Sequence, residues 1–178
     1  AFEMVRFVQP GANAAVLNRV TGPYSSEIFG SLLANGNVYL INPNGILFGA
    51  GSRVNVGGLV ASTFDLSDED FNAGRLNFTR LLNSGKVINE GSISASAFVY
   101  LLGEGVENAG TIQAPAVALA AGRDTIVIDR TANGGEIRLS VDENMPAISF
   151  TEIADPAALP SAINRGVVNA SGETGGQV

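Results

Sequence analysis

The pattern of apolar and polar positions repeats between two adjacent segments, residues 86–103 and 105–122. The two residues of each matching pair are 19 positions apart. The matches occur on every second residue, whereas the residues between them vary freely. This alternation is typical of a strand with one packed and one solvated face. We therefore expect stacked coils that trace the same strand path, with each inward position lying on its counterpart. The matched pairs are Val87/Val106, Asn89/Asn108, Gly91/Gly110, Ile93/Ile112, Ala95/Ala114 and Ala97/Ala116.

The centre of the repeat is Asn-x-Gly, followed after one further residue by a branched apolar residue (Asn-x-Gly-x-Ile/Leu/Val). It occurs at Asn55-Gly57, Asn72-Gly74, Asn83-Gly85, Asn89-Gly91, Asn108-Gly110 and Asn133-Gly135. Asn tolerates left-handed backbone, Gly adopts positive φ without penalty, and Asn side chains stacked in register can bond along a ladder. The sites at positions 55, 72, 89 and 108 follow one another at nearly equal steps, and the step to position 133 is longer. We therefore predict a structural turn ladder at Asn55, Gly57, Asn89, Gly91, Asn108, Gly110, Asn133 and Gly135.

A coil of this length suits one fold class. At ~3.3 Å per residue, the repeat gives a contour of roughly 60 Å, which is enough for three short strands and three bends. The sequence therefore predicts an all-β, single-stranded parallel β-helix over residues 1–145. Pro156 and Pro160 interrupt the β pattern and predict an extra-helical loop with a helical turn over 146–165. Because "GVVNASG" is similar to "GVENAG" at 105–110, residues 166–178 are expected to begin a further coil that continues into a longer parent protein.

The stretch "LSDEDFNAGRL" predicts a short helix that leaves the coil. Ser67 is a good N-cap, and three acidic residues after it suit the positive end of the helix dipole. Gly74 is then either the cap of this helix or a turn of the repeat. An alternative is a divalent-ion loop formed by Asp65, Asp68, Glu69 and Asp70, although the spacing and glycine of an EF-hand loop are missing.

The residue types that are absent exclude several chemistries. Without Cys, neither a disulfide nor a Cys-ligated metal can form, and without His, zinc catalysis and Ser-His or Cys-His catalysis are excluded. The net charge is −7 and no basic cluster occurs, so no nucleic-acid partner is expected. No run of about 18 apolar residues occurs that would span a membrane as a helix. We expect no cofactor, no metal and a monomeric chain.

Two stretches carry a family resemblance: "LNRVTG" at Leu17–Gly22, and residues 30–63 with "INPNGI" and "VGGLVAS" inside them. Both look strongly like the two-partner-secretion domain, also called the filamentous haemagglutinin N-terminal domain. The later "NEGSISA", "NAGTIQA" and "ALAAG" resemble it as well, so the similarity covers roughly residues 5 to 140.

The resemblance implies a right-handed parallel β-helix with an N-terminal cap and extra-helical β elements. The sixteen residues before Leu17 are expected to form only a partial cap. Domains of this family begin large exoproteins of Gram-negative bacteria, including adhesins, haemolysins, toxins and haem scavengers. They bind the periplasmic POTRA domains of an outer-membrane β-barrel transporter (the TpsB partner) and template the folding of the solenoid behind them. The implied location is secreted or cell surface after transit of the periplasm, with host or matrix ligands bound through the parent protein.

The family motif Asn42, Pro43, Asn44, Gly45 and Ile46 has two interpretations from its residues. Laid over "VINEGSISA", it places Asn42 on Asn89 and Ile46 on Ile93, with Pro43 stiffening a type I turn. It is then either a turn that nucleates a coil or a contact that the transporter recognises, and both remain open.

Two other functions compete with the secretion hypothesis. A solenoid edged with Ser, Thr and Asn could bind carbohydrate or matrix directly as an adhesin. A β-helical polysaccharide-degrading enzyme is disfavoured, because such enzymes cluster carboxylates along one groove. The acids of the repeat region do not recur at coil spacing; they are Glu90, Glu104, Glu107, Asp124 and Asp129.

Overall fold

The computed structural model describes residues 3–81, 84–130, 137–141 and 161–170. The first sheet contains β1 (Met4–Phe7), β2 (Ala15–Arg19), β4 (Ser31–Ala34), β5 (Asn37–Ile41), β7 (Arg53–Ser62), β11 (Ser92–Gly103), β13 (Thr111–Gln113), β14 (Ala116–Ala121) and β18 (Val167–Asn169). The second contains β3 (Ser26–Ile28), β6 (Ile46–Phe48), β10 (Lys86–Asn89), β12 (Gly105–Asn108) and β17 (Ser161–Asn164). The third contains β8 (Asp65–Leu66), β9 (Leu76–Thr79), β15 (Thr125–Arg130) and β16 (Ile137–Val141), and one helix, α1 (Asp68–Asn72), accompanies it.

The first two sheets are parallel throughout and wind as a β-helix, as the sequence predicts. Each coil crosses three strand positions: β1-β2-β3 form coil one, and β4-β5-β6 form coil two. The described residues trace five such coils, and β18 begins a sixth. The predicted offset is confirmed between coils three and four, where β10 pairs with β12 and Val87 lies opposite Val106. It is confirmed again between coils four and five, where β11 pairs with β13 and Ile93 lies opposite Ile112.

The inward positions of successive coils form columns, which explains why one face of the repeat is preserved. Leu32, Val54, Ile93, Ile112 and Val168 lie opposite one another in register. The first four are buried and form one core with their neighbours inside the solenoid. Burial of branched side chains between stacked coils is the principal apolar stabilisation of such a fold.

The predicted pairing of Ala97 with Ala116 is wrong, because the register changes within β11. Phe98 lies opposite Ala116, and Val99 lies opposite Val117. An irregularity between Ala95 and Phe98 also shifts β11 against β7 and leaves Ala97 exposed. A bulge of this kind adds a residue to one strand and ends a constant offset.

Two excursions leave the solenoid between the second and third strand positions, in coils three and five. They supply the four strands of the third sheet, which is antiparallel: β9 pairs with β8 and β15, and β15 pairs with β16. This sheet covers the outward side of β7 and β11. A second core forms there, including Phe64, Phe78, Phe98 and Tyr100.

The predicted short helix is confirmed. The Ser67 hydroxyl accepts a hydrogen bond from the Asp70 amide at 3.0 Å, and Gly74 follows the helix with φ of 70°. Asn72 and Gly74 therefore end a helix and are not a repeat turn. The acidic residues form ion pairs with arginines: Asp65 and Asp68 pair with Arg19, and Glu69 and Asp70 pair with Arg75.

The predicted ladder site at Asn55 and Gly57 is wrong. Asn55 is exposed within β7 and lies opposite Ser94, a different column from that of Asn89. The excursion of coil three lies between Arg53 and its register partner Ser92. Equal spacing along the sequence therefore does not identify equivalent positions of successive coils in this region. Gly57 instead permits close approach, since a Cβ would lie 2.8 Å from the Gly36 oxygen.

The fifth coil closes earlier in the sequence than expected. β17 pairs with β12 and places Asn164 opposite Asn108, so Ser161–Asn164 is solenoid, inside the segment 146–165 assigned to a loop. Within "GVVNASG", Val167–Asn169 form β18 and pair with β13, so these residues are not equivalent to residues 105–110. Residues 146–160 of that predicted loop, with Pro156 and Pro160, and the sites at Asn83, Asn133 and Gly135 lie outside the described residues. In the described part of the chain, no helix has the length and apolar character of a membrane span.

Candidate functional site

The family motif forms a tight turn that is closed by its own first side chain. The Gly45 amide donates to the Asn42 carbonyl at 3.1 Å, and the Asn44 amide donates to the Asn42 side-chain oxygen at 3.0 Å. Gly45 has φ of 120°, a conformation that other residues rarely adopt. Asn42 is fully buried, so its side chain acts as an internal cap of the turn.

The same turn is bound to the preceding coil. The Asn42 side-chain amide donates to the Tyr24 carbonyl at 3.0 Å and to the Ser26 hydroxyl at 2.9 Å. The Asn44 side-chain amide donates to the Gly22 carbonyl at 2.8 Å. Gly22 ends "LNRVTG", so these bonds join both sequence marks of the family in one place. We call residues 21–26 together with 42–46 the clamped corner.

The clamped corner also supports both ends of the first excursion. Where the excursion leaves coil three, the Asn42 backbone amide donates to the Ser62 carbonyl at 3.0 Å. Where the chain returns, the Gly85 amide donates to the Pro43 carbonyl at 2.7 Å. A Cβ on Gly85 would lie 2.6 Å from the Asn44 oxygen, so only glycine fits this close approach.

The predicted alignment of this motif with the repeat is wrong. Ile46 lies opposite Val87, and Phe48 lies opposite Asn89. The sequence comparison laid Asn42 on Asn89, but the two side chains belong to different bends of the coil. Ile46 does point inward, as predicted, and it is 1% exposed.

A ladder of three asparagines runs along another bend. Asn89 donates its side-chain amide to Asn108 at 2.7 Å, and Asn108 donates to Asn164 at 2.7 Å. The sequence analysis missed Asn164, although the repeat signal Asn-x-Gly-x-Val is present at Asn164, Gly166 and Val168. In the two earlier coils this column holds Ile28 and Phe48, so the ladder starts at coil three.

The glycines of the ladder have a different role from the one predicted. Among the described glycines, positive φ occurs at Gly45, Gly51 and Gly74, and therefore not at Gly91 or Gly110. A Cβ on Gly110 would instead lie 2.1 Å from the Gly91 oxygen, and one on Gly166 would lie 2.0 Å from the Gly110 oxygen. The spacing between stacked backbones is what requires glycine here.

Arg19, the arginine of "LNRVTG", makes contacts between coil one and the first excursion that the sequence analysis did not predict. Its guanidinium donates to Asp65 and Asp68, both at 2.9 Å, and to the Leu66 carbonyl at 2.6 Å. These bonds raise the pKa of Arg19, the hydrogen bond to Asp65 contributing most. Arg19 thereby joins the second strand of coil one to the start of the extra-helical sheet.

Stacked parallel coils, the antiparallel sheet on their outer side and the clamped corner define a β-helical module of the secretion-domain type. The chain belongs to the TPS secretion domain family, whose model matches residues 2–174. The two sequence marks that suggested the family are thus brought together by the fold at one corner.

Sequence relatives support this assignment. A heme/hemopexin-binding protein of Haemophilus influenzae is 48% identical over 118 residues, which is 62% of this chain and 13% of that protein. A second heme/hemopexin-binding protein from this organism is 45% identical over 87 residues, or 49% of this chain and 9% of that protein. The chain therefore spans only a small part of the length of these relatives.

A solved structure agrees in fold. The crystal structure of the HMW1 secretion domain from Haemophilus influenzae is similar, with a TM-score of 0.69 and 34% sequence identity. The match covers 82% of this chain and 39% of that one. The agreement extends the assignment from sequence motifs to three-dimensional architecture.

Proposed function

We propose that this chain is the secretion-targeting and folding-nucleation module of a large exported surface protein. In this proposal the POTRA domains of a dedicated outer-membrane β-barrel transporter recognise it in the periplasm, and the parent protein is then secreted or held at the cell surface. The observation that carries the proposal is the clamped corner, in which Asn42 and Asn44 join the two family marks by side-chain hydrogen bonds. Membership of the TPS secretion domain family supports the targeting role.

The contacts of the corner suit a nucleus. Asn42 bonds backward to coil one and forward to coil three, so one buried side chain and its backbone connect three consecutive coils. Since each coil packs only on its neighbours, an early coil that is held firmly can template those that follow. Without Cys, no disulfide closes the fold before export.

The carboxylates of the repeat region favour a non-catalytic module. Glu104 pairs with Arg80 at 2.8 Å, and Glu107 pairs with Arg165. In the part of the chain that the structure describes, no three side chains of His, Cys, Asp or Glu form a group that could hold a metal. Carboxylates neutralised by arginine differ from the paired acids of polysaccharide-degrading enzymes.

A binding measurement tests the transporter proposal. The purified chain is passed over the immobilised periplasmic domains of its cognate transporter, with POTRA domains of an unrelated barrel as the reference surface. We expect saturable binding to the cognate surface only. Equal binding to both surfaces, or none to either, would show that the proposed recognition is wrong.

A further inference from the structure

One aromatic side chain of the clamped corner is left in solvent. Tyr24 is 81% exposed, the highest value among the exposed large hydrophobic residues of the described chain. Its backbone carbonyl, in contrast, accepts the hydrogen bond from buried Asn42. The ring therefore projects from a backbone that the protein holds in place.

The backbone on both sides of Tyr24 is also restrained. Pro23 precedes it and has a fixed φ. Two residues later, the Ser26 amide donates to the Gly45 carbonyl at 2.9 Å. An exposed aromatic ring on a restrained backbone loses little conformational entropy when a partner covers it, which is the property of an interface anchor.

The residues that make up the clamped corner are uncharged. Residues 20–26 and 42–46 contain no Asp, Glu, Lys or Arg, although the chain as a whole carries a net charge of −7. Asn44 is exposed in the same corner, whereas Asn42 is fully buried and out of reach of a partner of the folded domain. The corner thus offers an aromatic ring and amide groups, and no ionic contact.

We propose that Tyr24 is the anchor by which the transporter's periplasmic domains hold this module. The partner site is an uncharged apolar pocket that receives the ring, with hydrogen-bonding groups at its rim for the phenol and Asn44. This inference rests on the proposed function and specifies the chemistry of the recognition. It divides the clamped corner into the buried Asn42, which stabilises its fold, and the exposed Tyr24 and Asn44, which the transporter contacts.

The test compares three variants for binding to the cognate periplasmic domains. Tyr24→Ala is expected to raise Kd at least about tenfold, and Tyr24→Phe, which keeps the ring, less than about threefold. Val8→Ala is the matched control, because Val8 is 80% exposed at another bend of the same coil. It should leave Kd unchanged, and all three variants should keep the wild-type Tm.

Salt dependence tests the neutral character of the contact. Between about 50 and 300 mM NaCl, Kd of the wild type should change less than about threefold, since screening weakens only charged contacts. A steep loss of affinity with salt would overturn the uncharged pocket.

The outcomes separate the two proposals. If the wild type binds and Tyr24→Ala binds equally well, the anchor is wrong and the transporter proposal stands. If the wild type does not bind, the transporter proposal itself fails. A lowered Tm for Tyr24→Ala would assign the ring a structural role and overturn the inference.

Discussion

The side chains of Asn89 and Asn108 lie opposite each other in adjacent coils, 2.7 Å apart and fully buried. Asn108 accepts from Asn89 and donates to Asn164, so it is the middle member of the ladder. A buried amide with both neighbours in place is stabilising, whereas an orphaned neighbour is costly.

Replacing the middle of the ladder should therefore cost more than replacing its exposed end. We expect Asn108→Ala to lower the free energy of unfolding by about 1–3 kcal/mol, because Asn89 is left buried without its acceptor. Asn164→Ala leaves the buried Asn108 amide without its acceptor but removes one ladder bond and not two, so we expect a smaller loss of about 1–2 kcal/mol. Urea unfolding measures both, and equal losses would contradict the ladder as a cooperative element.

Glycine in the close-packed column should not tolerate even a methyl group. Gly110→Ala places a Cβ 2.1 Å from the Gly91 oxygen, so coils four and five must separate. We expect a loss of about 3 kcal/mol or more, at the upper end of overpacking costs. Gly11→Ala is the control, since nothing lies within 4 Å of its Cβ position. A Gly110→Ala protein that melts like the control would disprove the close approach.

The two asparagines of the clamped corner should separate stability from surface contact. Asn42→Ala removes two donated hydrogen bonds from a fully buried site, and we expect it to cost about 2–4 kcal/mol. Asn44→Ala, at an exposed site, should cost under about 1 kcal/mol. Thermal unfolding and export of the parent protein are measured together for both. An Asn42→Ala protein that unfolds like wild type yet is not exported would favour direct contact of Asn42 with the transporter.

Two neighbouring buried hydroxyls should respond in opposite directions. Ser62 donates to the Phe64 carbonyl at 2.8 Å and accepts from its amide at 3.0 Å, so Ser62→Ala should destabilise by about 1–2 kcal/mol. The Thr63 hydroxyl is buried and finds no partner among the described residues. Thr63→Val keeps the side-chain shape and should stabilise by about 1 kcal/mol. Denaturant midpoints decide this, and a destabilised Thr63→Val would point to a bond that the hydroxyl makes.

Acid should weaken the start of the extra-helical sheet. The hydrogen bond from Arg75 lowers the pKa of the Asp70 carboxyl below its usual value near 4. A group whose pKa falls on folding adds stability above its unfolded pKa and loses it as the pH falls through the folded value. Asp70→Asn should therefore be less stable than wild type at pH 7, and the difference should shrink as the pH falls below the usual carboxyl pKa near 4. A difference that does not vary with pH would contradict the Asp70–Arg75 pair.

The features that could be predicted from sequence are those that repeat locally. Asn89 and Asn108 lie in consecutive coils with no excursion between them, so their offset is visible in the sequence. Asn164 has the same role one coil further on, but the second excursion lies between it and Asn108, and the relationship is lost in the sequence. The two family motifs of the clamped corner are visible in the sequence, but the bonds between them are not, because they join residues of different coils that share no sequence pattern.

The second core, on the outer side of β7 and β11, could not be predicted from the sequence for a different reason. The C-terminal parts of β7 and β11 are buried on both faces, the inner by the solenoid and the outer by the antiparallel sheet. Strands covered on both sides lose the alternation that reveals which face is packed. The core that contains Phe98 and Tyr100 includes residues of both excursions, such as Phe78 and Ile126, which no local pattern connects.

The pairing of β9 with β15 has a consequence for the timing of folding. Leu76 meets Ile128 across this pair, and the whole of coil four lies between them in the chain, whereas neighbouring coils meet after a single turn. Contacts that close long loops form slowly, because their entropy is lost before any contact energy is gained. Successive coils can thus be added rapidly through local contacts, whereas the aromatic residues on the outer side of β7 and β11 are fully covered only after the second excursion has folded. A chain that folds gradually from its N-terminus would therefore pass through an intermediate that exposes the apolar residues of the second core until β15 pairs with β9.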